Sequence, residues 1–174
     1  QKDNLAKATY LLTGTLTRRP AGAASGPLKI QLALTDLRSG MVAAQSSGLA
    51  RDQGIDYTPL VYDQDSPVLA QDRVIEGYVR TTATPAGQRA DAYYLERLAI
   101  APVITDAASL YSAARYQEAL AQYNAAAAVP AGDQLRVLSG IYLSSVKLDR
   151  TAEAEQAFAK IVDYGIRNKQ LGVK

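Results

Sequence analysis

The chain has 174 residues, enough to bury a core in one ordinary domain or two small ones, and its net charge of +2 is too even for binding that rests on phosphate neutralisation. Cys, His and Trp are all absent. That excludes disulfides, thiolate nucleophiles and Cys-ligated metal sites, and removes the commonest general base and metal ligand. Apolar residues make up 48% of the chain, but 31 of them are alanine and only 7% of residues are aromatic, which predicts small side chains in close-packed helices plus a few strands. No apolar run reaches the length of about 18 residues that a membrane helix needs. The chain opens on Gln1 without a leader, which predicts a mature or excised fragment.

Tyr10, Leu12, Gly14 and Leu16 alternate with Leu11, Thr13, Thr15 and Thr17, the period-two signature of a strand. Arg18-Arg19-Pro20 stops it, and residues 21–27 read as a small-residue hairpin tip rather than a phosphate loop. In the second strand Leu28, Ile30, Leu32 and Leu34 face one way, with Lys29, Gln31, Ala33 and Thr35 opposite. Asp36 to Gly40 is a turn with a positive φ expected at Gly40, and a third strand follows at Met41 to Gln45. Short connections favour an antiparallel meander. Its apolar face needs a cover, from the segment before Thr9, a later helix, or a part of the parent protein outside the chain.

Residues 49–87 read as an irregular linker, with Tyr57 and Tyr62 as binding candidates and Arg73 to Arg80 open to strand or helix. Asp63-Gln64-Asp65 matches no calcium-loop spacing and reads as an acidic loop. Glu76, Asp91 and Glu96 show no pairing suited to acid–base catalysis. Basic residues do not interleave with aromatics, so no nucleic-acid partner is expected. From about Gln88 onward Ala and Leu recur at helical spacing, with breaks at Pro102 and at Pro130 to Asp133.

This half repeats itself. Glu118-Ala119 followed by Tyr123 matches Glu153-Ala154 followed by Phe158 at an offset of 35 residues. Leu110 to Leu120, then Tyr123, Ala126 and Pro130, resembles a tetratricopeptide unit, and Gly140, Tyr142, Glu153, Ala154 and Phe158 mark a poorer second copy. The extra residue is expected in the turn Leu148-Asp149-Arg150. The resemblance implies a groove lined by the first helix of each unit, with Ser112, Arg115 and Arg136 as polar contacts.

The strand pair, with its Asp36 to Gly40 turn, is similar to the paired strands of bacterial envelope lipoproteins of the CsgG, FlgO and LpoB kind. Together with the helical repeat it resembles the region preceding an OmpA-type peptidoglycan-binding domain in Gram-negative outer-membrane proteins. The expected fold is α+β: residues 1–48 a small antiparallel β-sheet module, a partial lipoprotein-like α/β domain, then the linker 49–87, then a tetratricopeptide-like helical region over 88–174. The function these resemblances imply is a non-catalytic periplasmic scaffold, outer-membrane associated. It would hold other envelope proteins, with no cofactor or metal, and reach peptidoglycan or the membrane only through parts outside this chain. The rival readings are an activator of a cell-wall synthase and a ring or secretion subunit that self-associates through strand edges.

Overall fold

A computed structural model describes residues 9–17, 28–51, 56, 58–67 and 73–168. The fold is α+β, a three-stranded antiparallel sheet followed by helices. The strands are β1 (Tyr10–Thr17), β2 (Leu28–Asp36) and β3 (Val42–Ala50), in the order β1-β2-β3. The register sets Leu12 opposite Leu34, Leu16 opposite Ile30, and Leu32 opposite Gly14 and Ser46. The third strand runs further than expected, through Ser46, Ser47 and Gly48, because the β2 ladder supplies partners to residues with little strand preference of their own.

The turn between β2 and β3 forms as its residues dictate. The Asp36 carboxylate accepts from the Arg38 N–H at 2.9 Å and the Ser39 hydroxyl at 3.0 Å, and Gly40 takes φ +71°. Those two donors hold the Asp36 carboxyl below the usual carboxylate range.

The chain divides into two compact units, one of residues 1–57 and 73–95, the other of residues 58–72 and 96–174. Part of the span expected to be linker is helix: α1 (Val61–Asp65), in the second unit, and α2 (Arg73–Ala83), in the first, both lie within 49–87. Val74, Gly77, Tyr78, Thr81 and Thr82 recur at three and four along α2 and form its inner face. That face is rich in hydroxyls, and so is the sheet face it covers. Thr82 Oγ1 lies 2.7 Å from Thr15 Oγ1, and the Tyr94 hydroxyl, from α3 (Ala92–Arg97), lies 2.5 Å from Thr13 Oγ1. Gln45 Nε2 donates to the Thr82 carbonyl at 3.2 Å. The helix therefore packs on the threonine face of the sheet, where Thr13, Thr15 and Gln45 find partners, while the buried Thr35 hydroxyl has none among the described residues.

The second unit is two helical hairpins: α4 (Ala101–Ser112) with α5 (Tyr116–Ala127), and α6 (Leu135–Lys147) with α7 (Thr151–Arg167). Pro102 falls in the first turn of α4, where its missing N–H costs nothing, so it starts a helix rather than kinking one. Ala107, Ala108, Ala119 and Ala126 are buried where these helices meet, and their small side chains permit close approach.

The repeat is structural as well as sequential. Each hairpin turns through three residues, with positive φ at Ala114 and Asp149. Arg115 pairs with Glu118, and Arg150 with Glu153, again 35 residues apart. The two turns are equal in length, so the extra residue does not fall at 148–150 as expected. The hairpins are joined by a 3-10 turn at Pro130–Gly132, where the glycine is required: a Cβ there would stand 1.9 Å from the Ala126 carbonyl oxygen.

Candidate functional site

In the helical unit, residues 58–67 lie against the inner sides of α4, α5 and α6. Pro59 and Pro67 bracket the segment, and between them the chain makes one helical turn, α1, closed by Gln64 N–H to the Leu60 carbonyl and Ser66 N–H to the Tyr62 carbonyl. Tyr62 is its anchor. Its ring meets Tyr111 edge-on and stacks on Tyr123, both at 5.9 Å between centroids, and its hydroxyl donates to the Arg136 carbonyl at 2.7 Å. Ser66 and Ser139 share a buried hydroxyl contact at 2.8 Å.

Charge completes the grip. Asp65 accepts from the Tyr111 hydroxyl at 2.7 Å and pairs with Lys147 at 3.2 Å, while Asp63 pairs with Arg136 at 3.7 Å. The Tyr111 bond, then Lys147, lowers the Asp65 carboxyl. Burial pushes the Tyr62 phenol up to about 12. Burial, followed by the adjacent Asp65 carboxylate, also raises Tyr111, and burial, followed by the charge of Tyr62, raises Tyr123. At neutral pH Tyr62 and Tyr111 are donors and all three rings are packing surfaces, not bases.

Tyr62 and Arg136, separate partner-contact candidates on sequence grounds, meet each other here. The guanidinium of Arg136 lies 5.9 Å from the Tyr62 ring centroid, and its backbone carbonyl receives the hydroxyl. Arg115 is instead held at the α4–α5 turn by a two-point contact with Glu118, at 2.7 and 2.6 Å. Ser112 ends α4 with its hydroxyl buried and without a hydrogen-bond partner among the described residues. Tyr57 lies outside the described residues, as do Arg18, Arg19, the hairpin tip at 21–27 and the segment before Thr9. Asp65, Ser66, Ser139 and Lys147 are not binding candidates on sequence grounds. Their only signal in the sequence is the acidic pair flanking Gln64, and nothing local says that cations 70 or more positions later face it.

A second surface belongs to the sheet. With α2 on the threonine face, the opposite face presents Tyr10, Leu12 and Leu16 from β1 and Ile30, Leu32 and Leu34 from β2. Leu12 is 64% exposed, Tyr10 51% and Leu16 50%. Ile30 and Leu34 are half-buried and Leu28, at one end of the same face, is buried, so the open part of the row is Tyr10, Leu12, Leu16 and Leu32. A third surface is a groove of about 640 Å³ at the last hairpin, bordered by Tyr142, Val146, Arg150 and Phe158.

Among the described residues no group of three or more acidic side chains is arranged to hold a metal ion, and no helix is long and apolar enough to cross a membrane. Asp63 and Asp65 face Arg136 and Lys147; Glu76 and Asp91 both pair with Arg80. Compared with protein-family models, curated proteins and solved structures, the chain gives no match.

Proposed function

We propose that this chain is a non-catalytic protein-interaction module that docks a partner on the leucine face of its sheet. The observation that carries the reading is the open cross-strand row of Tyr10, Leu12, Leu16 and Leu32. A contiguous apolar surface of this kind on a folded unit marks an interaction site. Covering each of these side chains stabilises a complex by about 1.5–3 kcal/mol before the cost of association is met. The partner this surface fits presents an apolar helix or sheet face of its own. The resemblance of the strand pair to envelope lipoproteins supports an envelope protein as that partner and a periplasmic, outer-membrane-associated place of work. The resemblance of the helical hairpins to tetratricopeptide units supports a scaffold role.

A photo-reactive residue at Leu12 of the full chain, exposed to Gram-negative envelope extract, tests this. The expected result is one discrete adduct from position 12 that is absent when the probe sits at the exposed, polar position Glu153. Leu32→Asp should abolish it, and purified cell-wall sacculi should not retain the chain. No adduct from position 12, or the same adducts from both positions, overturns the docking surface. Retention on sacculi overturns the protein-scaffold reading.

A further inference from the structure

We propose that residues 58–67 are a built-in ligand, and that the groove they fill binds in trans a tyrosine-bearing acidic peptide segment of a partner protein. The evidence is the seated segment itself. It enters the helical unit from a distant part of the sequence, closes its own short turn, and is tied to the helices by side chains of the kind a peptide ligand presents. The ties read as a recognition pattern: a tyrosine whose hydroxyl meets the Arg136 carbonyl, an aspartate next to it facing Arg136, and a second aspartate three residues after the tyrosine. That second carboxylate sits between the Tyr111 hydroxyl and Lys147, and a serine then meets Ser139. Helix faces that offer a cation at each carboxylate and an aromatic pocket at the tyrosine accept any segment with this spacing.

The pattern also says what is rejected. The tyrosine hydroxyl is a donor to a carbonyl oxygen, so a phenylalanine leaves that acceptor short of a partner, and a phosphotyrosine brings two negative charges against it. The native segment is held at the effective concentration of an intramolecular ligand, about millimolar or above, so a trans peptide competes poorly until the cis segment is weakened. This gives the site a two-state occupancy, cis or trans, and is independent of the sheet face.

The test uses the full chain and a fluorescent synthetic peptide of residues 58–67, read by anisotropy. Asp63→Asn with Asp65→Asn weakens the cis segment at two carboxylates that are partly solvent-exposed. The double variant is expected to bind the peptide at least about tenfold more tightly than the unaltered chain. The same peptide carrying Tyr62→Phe should bind the variant about fivefold to tenfold more weakly, and the tyrosine-phosphorylated peptide should not bind. A variant that keeps its helical spectrum and a cooperative melt, yet binds no peptide or binds it no better than the unaltered chain, overturns the proposal. Tyr62→Ser is the second variant, emptying the aromatic pocket. If it folds, it should bind the peptide; if it folds only when peptide is added, that too supports the site, and failure of the peptide to bind or rescue it overturns it. Equal binding of the phosphorylated peptide reduces the interaction to charge alone and overturns the recognition pattern.

Discussion

Gly40 shows how much one residue decides in the sheet unit. The turn from β2 to β3 needs a left-handed backbone at this position, φ +71°, and the space beside it is already taken. A Cβ on Gly40 would stand 2.9 Å from Leu95 Cδ1. Gly40→Ala therefore carries backbone strain and obliges the tip of the Leu95 side chain to shift, and is expected to destabilise the sheet unit by about 1–3 kcal/mol, chiefly through the backbone. The shift of the urea midpoint of that unit, followed by backbone amide signals of β2 and β3, measures it; an unchanged midpoint would mean the turn is not held in the conformation described. This turn was legible in the sequence because its signals are local: an aspartate that accepts from the backbone two residues on, and a glycine four residues on. Tyr62 was legible only as a candidate. Its role as an anchor depends on Tyr111, Tyr123 and Arg136, all distant in sequence, and no local pattern joins them.

At the scale of elements, the 35-residue repeat pointed to the helical hairpins because apolar spacing and the recurring Glu-Ala pair, each followed by an aromatic, lie within single elements. What it could not show is how copies differ in their surroundings. Tyr123 and Phe158 occupy equivalent positions, yet Tyr123 is fully buried against Gly140 of α6, while Phe158 touches Tyr142 and remains 40% exposed. Gly140 is the notch that admits the Tyr123 ring: an added Cβ would lie 2.3 Å from its Cζ. Alanine is the better helix former by about 1 kcal/mol, so propensity alone predicts that Gly140→Ala stabilises α6. Packing reverses the sign. The buried ring has nowhere to move, and the expected net effect is a loss of about 1–3 kcal/mol, measured as a lower urea midpoint of the helical unit. A gain in stability would show that Tyr123 can be displaced without cost. The same contrast explains the sheet. The leucine row looks like the face to be covered, but α2 has a hydroxyl-rich inner face: its Thr82 pairs with Thr15 and Gln45 on the polar side of the sheet, while its Thr81 hydroxyl accepts from the Asp91 N–H.

Across the molecule, the core of the helical unit is unusual in resting on phenols. Tyr62, Tyr111 and Tyr123 are buried together, and each is harder to ionise there than in an unfolded chain. Unfolded tyrosine ionises near pH 10. Above that pH the unfolded chain releases protons that the folded unit still holds, so stability falls as pH rises. The loss runs from about pH 10 and continues, for Tyr62, to about 12, at up to about 1.4 kcal/mol per pH unit for each of the three groups. Urea unfolding at stepped alkaline pH should show this decline, with part of the tyrosinate absorbance of the eleven tyrosines appearing only together with unfolding. Early, uncoupled ionisation of these three phenols would mean the cluster is open to water. On the acid side, Asp65, held low by Tyr111 and Lys147, contributes stability above the ordinary carboxylate range that is lost as pH falls through its depressed pKa.

By itself the sequence determined the α+β class, the meander, the Asp36 to Gly40 turn and the doubled helical hairpin. Each of these follows from periodicity, turn chemistry or repetition within a few tens of residues. Only the tertiary structure decided which sheet face is covered and where residues 58–67 lie. Both depend on complementarity between elements far apart in the chain: hydroxyls of α2 with threonines of the sheet, and a tyrosine with two carboxylates against a pocket and cations supplied by α4, α5 and α6. Alternation along a strand marks two faces but not the partner of either, and an acidic loop becomes a ligand only when folding sets its counter-charges opposite it.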